Sequence, residues 1–599
     1  MFHLANNQAA GAPDGGRRSG VSLRLLAAVL AAAAAAAAIG ATAALAAPAL
    51  LLPGPEPAPW RDAQPVLGRH AMVVSAQRDA TAAGLEMLRR GGNAIDAAVA
   101  IGYALAVTDP CCGNLGGGGF MTIHLADGRN LFLDFRETAP RRATRTMFLD
   151  AQGHVVPGRS TKTWLAVGVP GTVRGLDAAL ARFGSLPRAE VMQPAIALAR
   201  DGWRLGPGEV AILRQSATLL AAHQPAASIF LDHGRVPAVG SVLRQPQLAH
   251  TLQRIARDGD RGFYAGPVAH ALVDASRRGG GVLTLADLHD YRVRWSPALQ
   301  CSYRGYTVVT TPPPGSGAAV CEALEVLAGY PLAQWGWGSA RTTHAIAEAE
   351  RHAFADRNTV LADPAFVDVR LSRMLSPAHI AAIRAAIRPS HATPSTQVHG
   401  AGAPAEGRHT THYSVLDAYG NAVDVTYTIN ALFGTGLIAG DTGFLLNNEM
   451  DDFTSKPGVP NLYGLVQGEA NAIAPGKRPL SSMTPSIVLK DGRPFMLTGS
   501  PGGSTIVSTT LQTMLDVIDF GMNAQQAADA PRMHMQWWPD RIDVEPGYLS
   551  PAAHDKLQQM GYALHQRAPW GAAELIVVGA HAIEGANDVR RPAGAAMGY

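Results

Sequence analysis

A threonine at the start of a predicted strand is the residue of this chain whose position is most indicative of chemistry. Residues 412–417 and 422–428 alternate as strands do, and 417–421 supplies turn residues, so Thr410 opens a predicted β-hairpin. A threonine hydroxyl is a weak nucleophile unless a base lies close, and a free α-amine on the same residue supplies a base with a pKa of about 8. Such an amine exists only if the bond between His409 and Thr410 is cut.

The segment before the hairpin favours such a cut. Residues 390–409 are rich in Pro, Gly, Ala, Ser and Thr and have no apolar period, which is typical of an exposed, mobile linker. The alternative is that Thr410 and Thr411 simply begin a β-branched strand. From this stretch alone the second interpretation is the more ordinary one.

Ordered stretches on both sides of Thr410 resemble the γ-glutamyltransferase (γ-glutamyltranspeptidase) family. The resemblance runs from about residue 64 to Tyr599, and several motifs in order are far more specific than any one. The stretches are 113–120 (GNLGGGGF), 134–137 (DFRE), 409–414 (HTTHYS), 421–423 (NAV), 426–430 (TYTIN), 433–436 (FGTG), 446–453 (LNNEMDDF), 478–483 (RPLSSM) and 499–504 (GSPGGS).

The resemblance implies roles for the residues around the nucleophile. Thr410 would be released by self-cleavage after His409 and would attack the substrate, with Thr428 hydrogen-bonded to it. Gly502 and Gly503 would form the oxyanion hole. This agrees with their place before a predicted helix at 504–520, because the first N–H groups of a helix are unpaired and lie in a positive partial field.

The resemblance also implies a binding site for the α-amino acid end of a γ-glutamyl donor. A planar guanidinium suits a carboxylate, which fits Arg136 for the donor α-carboxylate. Glu449 stands where some bacterial members have glutamine, so two carboxylates would face the ammonium. The implied set is Arg136, Ser481 and Ser482 for the carboxylate, Asn430, Glu449 and Asp452 for the ammonium, and Tyr463 as the gate of a lid loop at 460–475.

The fold that the resemblance implies is α+β, the four-layer αββα sandwich of N-terminal-nucleophile hydrolases, autocleaved into two intertwined subunits. The large subunit would be residues 66–409 and the small catalytic subunit residues 410–599. Further hairpins are predicted at 120–125 with 130–135 and at 486–490 with 494–498, and helical spacing is predicted at 76–108 and through most of 165–387.

The first residues are typical of an export signal. Arginines precede an Ala/Leu run, and Ala44-Leu45-Ala46 fits a cleavage site, so residues 1–46 are predicted to be a signal peptide directing the protein to the periplasm or the medium. A retained membrane anchor is the alternative. Residues 47–65 are Pro/Ala-rich and predict a tether. The net charge of +3 on 599 residues gives no basic footprint for nucleic acid.

Cysteine and histidine patterns give weaker signals. Export permits disulfides. Cys111 and Cys112 are adjacent and are not expected to pair with each other. Cys301 and Cys321 could be bridged or could be free thiols. His344, Glu348 and His352 share one helical face and could mimic metal ligands. The more ordinary interpretation for them, and for His534, is polar packing.

The resemblance implies a secreted, self-cleaving transferase and hydrolase acting on γ-glutamyl amides such as glutathione, with water or an acceptor amino acid or dipeptide resolving the acyl-enzyme. It implies no metal and no organic cofactor. Two alternatives stay open: a cephalosporin (glutaryl) acylase on the same scaffold, and a periplasmic glutathione-binding protein without catalysis.

Overall fold

Two antiparallel sheets of seven strands each form the centre of the protein. The computed structural model describes residues 59–398 and 410–599, and every statement below concerns these residues. The strands are β1 Val66–Gly68, β2 Met72–Ser75, β3 Gly118–His124, β4 Asn130–Asp134, β5 Trp203–Arg204, β6 Val242–Leu243, β7 Arg294–Pro297, β8 Leu299–Tyr303, β9 Tyr306–Thr310, β10 Thr411–Leu416, β11 Ala422–Thr428, β12 Ser486–Lys490, β13 Arg493–Gly499, β14 Met533–His534, β15 Ile542–Val544, β16 Leu564–Gln566, β17 Glu574–Val578, β18 Ile583–Asn587 and β19 Ala595–Gly598.

The predicted hairpins lie in the middle of these sheets. The first sheet has the order β19-β2-β10-β11-β3-β4-β7, so the hairpin that follows Thr410 is its centre, with Thr411 opposite Tyr427. The second has the order β1-β18-β17-β13-β12-β9-β8 and contains the hairpin of β12 and β13. All three predicted hairpins are confirmed.

The two sheets pack face to face because each presents one apolar face to the other. Buried side chains from both sheets, among them Val74, Phe120, Ile487, Leu497 and Ile576, form a shared core. Alternation along each strand supplies this face, since successive side chains point to opposite sides.

Helices cover the outer face of each sheet, which completes the predicted four-layer αββα sandwich. The predicted helical stretch 76–108 consists of two helices, because Asn93 caps the second one through a capping box with Asp96. The helices are Arg78–Arg89, Ala94–Thr108, Thr172–Phe183, Arg188–Asp201, Pro207–Ala221, Gln224–Phe230, Pro246–Asp258, Arg261–Tyr264, Gly266–Arg278, Leu285–Asp290, Gly317–Leu327, Leu332–Trp335, Ala340–Val360, Leu371–Met374, Pro377–Ala386, Thr505–Ile518, Ala524–Asp529 and Pro551–Gln559.

Parts of the predicted tether and linker are packed on the body. In the tether, Trp60 is buried, with its ring centroid 4.9 Å from that of Trp337. In the linker, Ser395 is fully buried and donates to the Trp537 carbonyl at 2.6 Å. The expectation of an exposed segment is therefore wrong for these residues. Residues 1–58, with the predicted signal peptide, and 399–409, with His409, lie outside the described part.

Both pairs of cysteines are disulfide-bonded. Cys301 and Cys321 are joined at 2.06 Å, one of the two arrangements that the sequence left open. Cys111 and Cys112 are joined at 2.03 Å, so the expectation that these neighbours do not pair is wrong. Within the described residues, no helix combines the length and the apolar character that a membrane crossing requires.

Candidate active site

Thr410 stands at the end of a central strand, where its position is fixed by the sheet. It directly precedes β10 and is 3% exposed. Its Oγ1 lies 3.4 Å from the Thr428 Oγ1 at the end of the neighbouring strand β11. The N–H of Asn430 donates to the same Thr428 oxygen at 2.8 Å. The β10–β11 pairing thus brings together two hydroxyls that are eighteen positions apart in the chain.

Asn430 follows β11 in a conformation that its residue type tolerates. Its φ is +73°, in the left-handed region where asparagine is enriched among non-glycine residues. Its side-chain amide donates to the Asn448 carbonyl at 2.9 Å, and its amide oxygen accepts from the Tyr463 hydroxyl. This asparagine therefore joins the end of β11 to the loop that carries Tyr463.

A glycine turn separates β13 from the helix Thr505–Ile518. Gly502 has φ +140° and Gly503 has φ +59°. A Cβ on Gly502 would lie 2.5 Å from the Thr505 Oγ1, so a side chain there is excluded by both conformation and space. Within residues 59–398 and 410–599, neither glycine N–H donates a hydrogen bond. Two free donors next to a helix N-terminus are suited to an oxyanion.

A small pocket opens beside Thr410. Ten of the residues singled out from the sequence line it, although they come from seven separate stretches of chain. They are Arg136, Thr410, Thr428, Asn430, Glu449, Asp452, Tyr463, Ser481, Ser482 and Gly503. Gly502 lines a neighbouring cleft instead.

The pocket is dominated by buried charges. The Arg136 guanidinium, 0% exposed, donates to carboxylate oxygens of both Glu449 and Asp452. Burial opposes the charge on Arg136, but Glu449 and Asp452 outweigh it and hold its pKa above the ordinary value. Burial raises the pKa of Glu449 and that of Asp452, and in both cases Arg136 opposes the rise. Removing one partner of such a set leaves a buried charge uncompensated, which is strongly destabilising.

The loop that carries Tyr463 lines one side of the pocket. Tyr463 is 5% exposed and reaches Asn430 with its hydroxyl. The loop is anchored by Asp451, which accepts from the Leu462 N–H at 2.8 Å and from the Ser160 hydroxyl at 2.6 Å. The loop thus places Tyr463 against the pocket, and its role as a lid stays a prediction.

A buried serine, histidine and aspartate lie together on β10 and β11. Ser414 donates to Asp424 at 2.5 Å, and the His412 Nε2 lies 3.3 Å from the same carboxylate. All three side chains are 0% exposed, and Asp424 also accepts from the Ser486 N–H at 2.7 Å. Because no substrate can reach this serine, the set acts as a polar tie between the two sheets rather than as a hydrolytic triad.

Comparison with known proteins assigns the family. The sequence model described as gamma-glutamyltranspeptidase matches residues 80–598. The chain belongs to the gamma-glutamyltranspeptidase family. A glutathione hydrolase proenzyme of Pseudomonas sp. (strain A14) is 50% identical over 547 residues, covering 89% of this chain and 95% of the relative. The glutathione hydrolase proenzyme of Escherichia coli (strain K12) is 44% identical over 539 residues, covering 89% and 93%.

Solved structures agree with this assignment. The cephalosporin acylase from Bacillus halodurans has a TM-score of 0.79 at 27% identity, covering 92% of this chain and 98% of that chain. The Helicobacter pylori gamma-glutamyltranspeptidase has a TM-score of 0.53 at 40% identity, covering 54% and 93%. The predicted family and αββα architecture are confirmed, and the protein is an enzyme of this family.

Two further buried ionisable residues lie at this site, to which the sequence analysis gave no role. Arg357, fully buried, donates to the Ser482 hydroxyl at 3.0 Å and to the Ser316 hydroxyl at 2.8 Å. Burial lowers the pKa of Arg357 to about 10, with Asp452 opposing, so it is charged at neutral pH. Arg357 lies within the helix Ala340–Val360, and no sequence motif distinguishes it from the other polar residues of that helix. Only the tertiary fold places it in the pocket.

Glu137 is the second residue of this kind. Its carboxylate lies 3.6 Å from Arg136, and both of its oxygens are buried without a hydrogen-bond partner. Burial raises the pKa of Glu137 to about 8, with Arg136 opposing. Burial therefore favours the neutral form of Glu137.

Proposed function

We propose that this protein is a self-processing γ-glutamyltransferase and glutathione hydrolase. The supporting observation is a buried pocket, lined by Thr410, that holds two guanidinium groups and two carboxyl groups, with Arg136 in contact with both Glu449 and Asp452. An α-amino acid end is a zwitterion of matching chemistry. Its carboxylate is a partner for Arg136, and its ammonium is a partner for Glu449 and Asp452. Donor binding would therefore replace the ion pairs between Arg136 and the two carboxyl groups by ion pairs of each side with the donor.

Maturation is the first step of the proposed reaction. The Thr410 hydroxyl attacks the carbonyl of residue 409, the peptide nitrogen leaves as the Thr410 α-amine, and water hydrolyses the resulting ester. The products are a large subunit that ends at His409 and a small subunit of residues 410–599. The new α-amine is then the base that activates the hydroxyl of the same residue.

Turnover follows the same chemistry on the donor. The Thr410 hydroxyl attacks the γ-carbonyl, and the N–H groups of Gly502 and Gly503 stabilise the developing oxyanion. The amine, cysteinylglycine in the case of glutathione, leaves with a proton. Water or the amine of an acceptor amino acid or dipeptide then attacks the ester, releasing glutamate or a new γ-glutamyl amide and restoring the hydroxyl.

The two sides of the glycine turn suit the two halves of the substrate. Gly503 lines the small charged pocket, whereas Gly502 lines a wider and more open cleft with Trp570 and Arg591. The open cleft suits a leaving group or acceptor of variable size. A narrow donor side and a wide acceptor side fit an enzyme that fixes the γ-glutamyl group and tolerates different amines.

The decisive experiment compares three proteins on a denaturing gel and in an assay. The unmodified chain is expected to separate into two pieces and to consume glutathione, faster when a dipeptide acceptor is added. Thr410→Ala should remain one inactive chain, and Thr410→Ser, the matched control, should still be cut. A small piece whose N-terminus is any residue other than Thr410, or a Thr410→Ala protein that turns over glutathione, contradicts the proposal.

Export to the periplasm is part of the same proposal and rests on residues 1–46. The mature large subunit should begin near Ala47, and mass spectrometry of periplasmic extract measures this end. Recovery of residues 1–46 in the membrane fraction would support the anchor instead.

A further inference from the structure

We propose that Glu322, Asp356 and His379 form a binding site for one divalent transition-metal ion of the zinc class. These residues come from three helices of the outer layer, Gly317–Leu327, Ala340–Val360 and Pro377–Ala386. One ligand atom from each lies within 4.8 Å of the others. Two carboxylates with one imidazole are a donor set that Zn²⁺ accepts in proteins.

The state of Glu322 points to a ligand. Its side chain is 0% exposed, and neither of its carboxylate oxygens has a hydrogen-bond partner. The His379 Nε2 lies 3.8 Å from a Glu322 carboxylate oxygen, within ion-pair range but beyond hydrogen-bond distance. Burying a carboxylate in this state is costly unless a charge compensates it at short range. A bound cation supplies such a charge.

The other two residues complete an accessible site. The His379 Nε2 lies 2.6 Å from the Asp356 carboxylate, and the two side chains are 31% and 26% exposed. Solvent can therefore enter, and a water molecule can occupy a fourth coordination position. One turn before Asp356 on the same helix, the Nε2 of His352 is also buried without a hydrogen-bond partner. Unsatisfied polar atoms thus cluster on this face of the helix.

The distances between the three ligand atoms are close to those of a tetrahedral zinc site. Ligand atoms around a tetrahedral Zn²⁺ with bonds of about 2 Å are roughly 3.3 Å apart. Side-chain rotations would therefore bring Glu322 closer to His379 and would separate the His379 Nε2 from the Asp356 oxygen, now 2.6 Å away. The other compact group of potential ligands in the described residues is Asp109 with Cys111 and Cys112. Both of those cysteines are in a disulfide, so that group offers no thiolate.

The ion would act as a clamp between helices and not as a catalyst. None of its three ligands lines the pocket beside Thr410. Asp356, however, directly precedes Arg357, whose guanidinium does line that pocket. An ion on Asp356 would therefore hold the helical turn that carries Arg357 against the two neighbouring helices.

The test uses the mature protein without a histidine tag, stripped with a chelator and desalted. Titration calorimetry with ZnCl₂ and elemental analysis after desalting are expected to give one Zn²⁺ per protein and a rise in Tm on binding. Glu322→Gln and His379→Gln should each weaken binding at least about tenfold, because ligands contribute more than outer-shell partners, whose loss alone costs 10- to 100-fold. MgCl₂ should bind at least about tenfold more weakly than ZnCl₂, because Mg²⁺ prefers all-oxygen sites.

His289→Gln is the matched control. His289 contacts Asp290 at the same 2.6 Å but lies on the surface, so its loss should leave the stoichiometry and affinity unchanged. Absence of stoichiometric Zn²⁺ binding, or binding that both site variants retain, overturns the proposal. His379→Gln decides the matter if Glu322→Gln does not fold, because His379 is partly exposed.

Discussion

Asp452 carries two tasks in the proposed enzyme, as partner of Arg136 and as receiver of a donor ammonium. Asp452→Asn keeps the shape of the side chain and removes its charge. Truncation of one member of a desolvated charged pair costs about 2–5 kcal/mol, which is roughly a 30-fold to several-thousandfold loss in kcat/KM for γ-glutamyl amides. Cleavage at Thr410 should be unaffected, because maturation involves no free amino acid.

A glutaryl amide is the matched substrate for this variant, because it lacks the ammonium. It should be a poor substrate of the unmodified enzyme, and its kcat/KM should fall little further in Asp452→Asn. Steady-state kinetics with both amides provide the measurement. If the unmodified enzyme turns over both equally well, the ammonium site is wrong and the glutaryl acylase alternative replaces it.

Glu449 is predicted to set the acidic limit of activity. Burial raises the pKa of Glu449 well above the ordinary value, with Arg136 opposing and the neighbouring carboxyl groups adding to the rise, so Glu449 is protonated at a higher pH than an exposed glutamate. Glu449→Gln removes that titration and leaves Arg136 to stabilise Asp452 alone. The acidic limb of the kcat/KM profile should therefore move to lower pH, although kcat/KM at neutral pH falls.

The measurement is a kcat/KM profile between pH 5 and 8, where the donor ammonium stays charged. Glu449→Asp, which keeps a carboxylate, is the control and should retain the acidic limb of the unmodified enzyme. An unchanged limb in Glu449→Gln would show that another group sets it.

At the scale of elements, the lid offers a mild and specific change. Tyr463→Phe removes the hydroxyl that donates to Asn430 and keeps the buried ring. A net hydrogen bond contributes about 0.5–1.5 kcal/mol, so KM for the donor should rise roughly two- to tenfold. The share of hydrolysis over transfer should also rise, because a looser lid admits water to the acyl-enzyme. Product analysis at fixed acceptor concentration tests this, and a transfer share that stays constant contradicts it.

Elements with strong local signals were predictable from the sequence. The hairpins around 417–421 and 491–492 follow from alternation interrupted by turn residues, and the helix after Gly503 follows from its apolar spacing. The segment 390–398 was not predictable in this way. Its composition indicates a mobile linker, yet Ser395 is held by Arg351 and Trp537, two partners from distant parts of the chain.

At the scale of the whole molecule, the site residues also divide into those that a local sequence motif predicts and those that only the tertiary fold brings into place. Residues within family motifs could be placed in the pocket, because the motif fixes their relation to the strands. Arg357 could not, since none of these motifs includes it and its place in the pocket depends on which helices and sheets meet. The bond between Cys111 and Cys112 likewise depends on a local backbone shape that adjacent residues rarely adopt, and a residue pattern does not encode it.

The acid stability of the molecule is predicted to depend on His534. It is fully buried, with its Nδ1 2.7 Å from the Ser508 hydroxyl and its Nε2 2.9 Å from the Gln536 amide oxygen, which confirms the interpretation of polar packing. Burial lowers its pKa to about 4 from an ordinary 6.5. The unfolded chain therefore binds a proton between pH 6.5 and 4 that the folded protein does not, so acidification through this window removes up to about 3 kcal/mol from the free energy of unfolding.

His534→Gln has no proton to bind in either state. We expect it to be less stable than the parent at pH 7 and to lose less stability between pH 6.5 and 4, so the two free energies of unfolding converge on acidification. Urea unfolding is best measured in the uncleaved Thr410→Ala chain, because two separate subunits would make the transition depend on concentration. Above pH 7, where His534 is neutral in both states, the difference between parent and variant should be constant, and this region is the internal control. Parallel curves from pH 7 down to pH 4 would show that the imidazole is protonated in the folded protein as readily as in the unfolded chain.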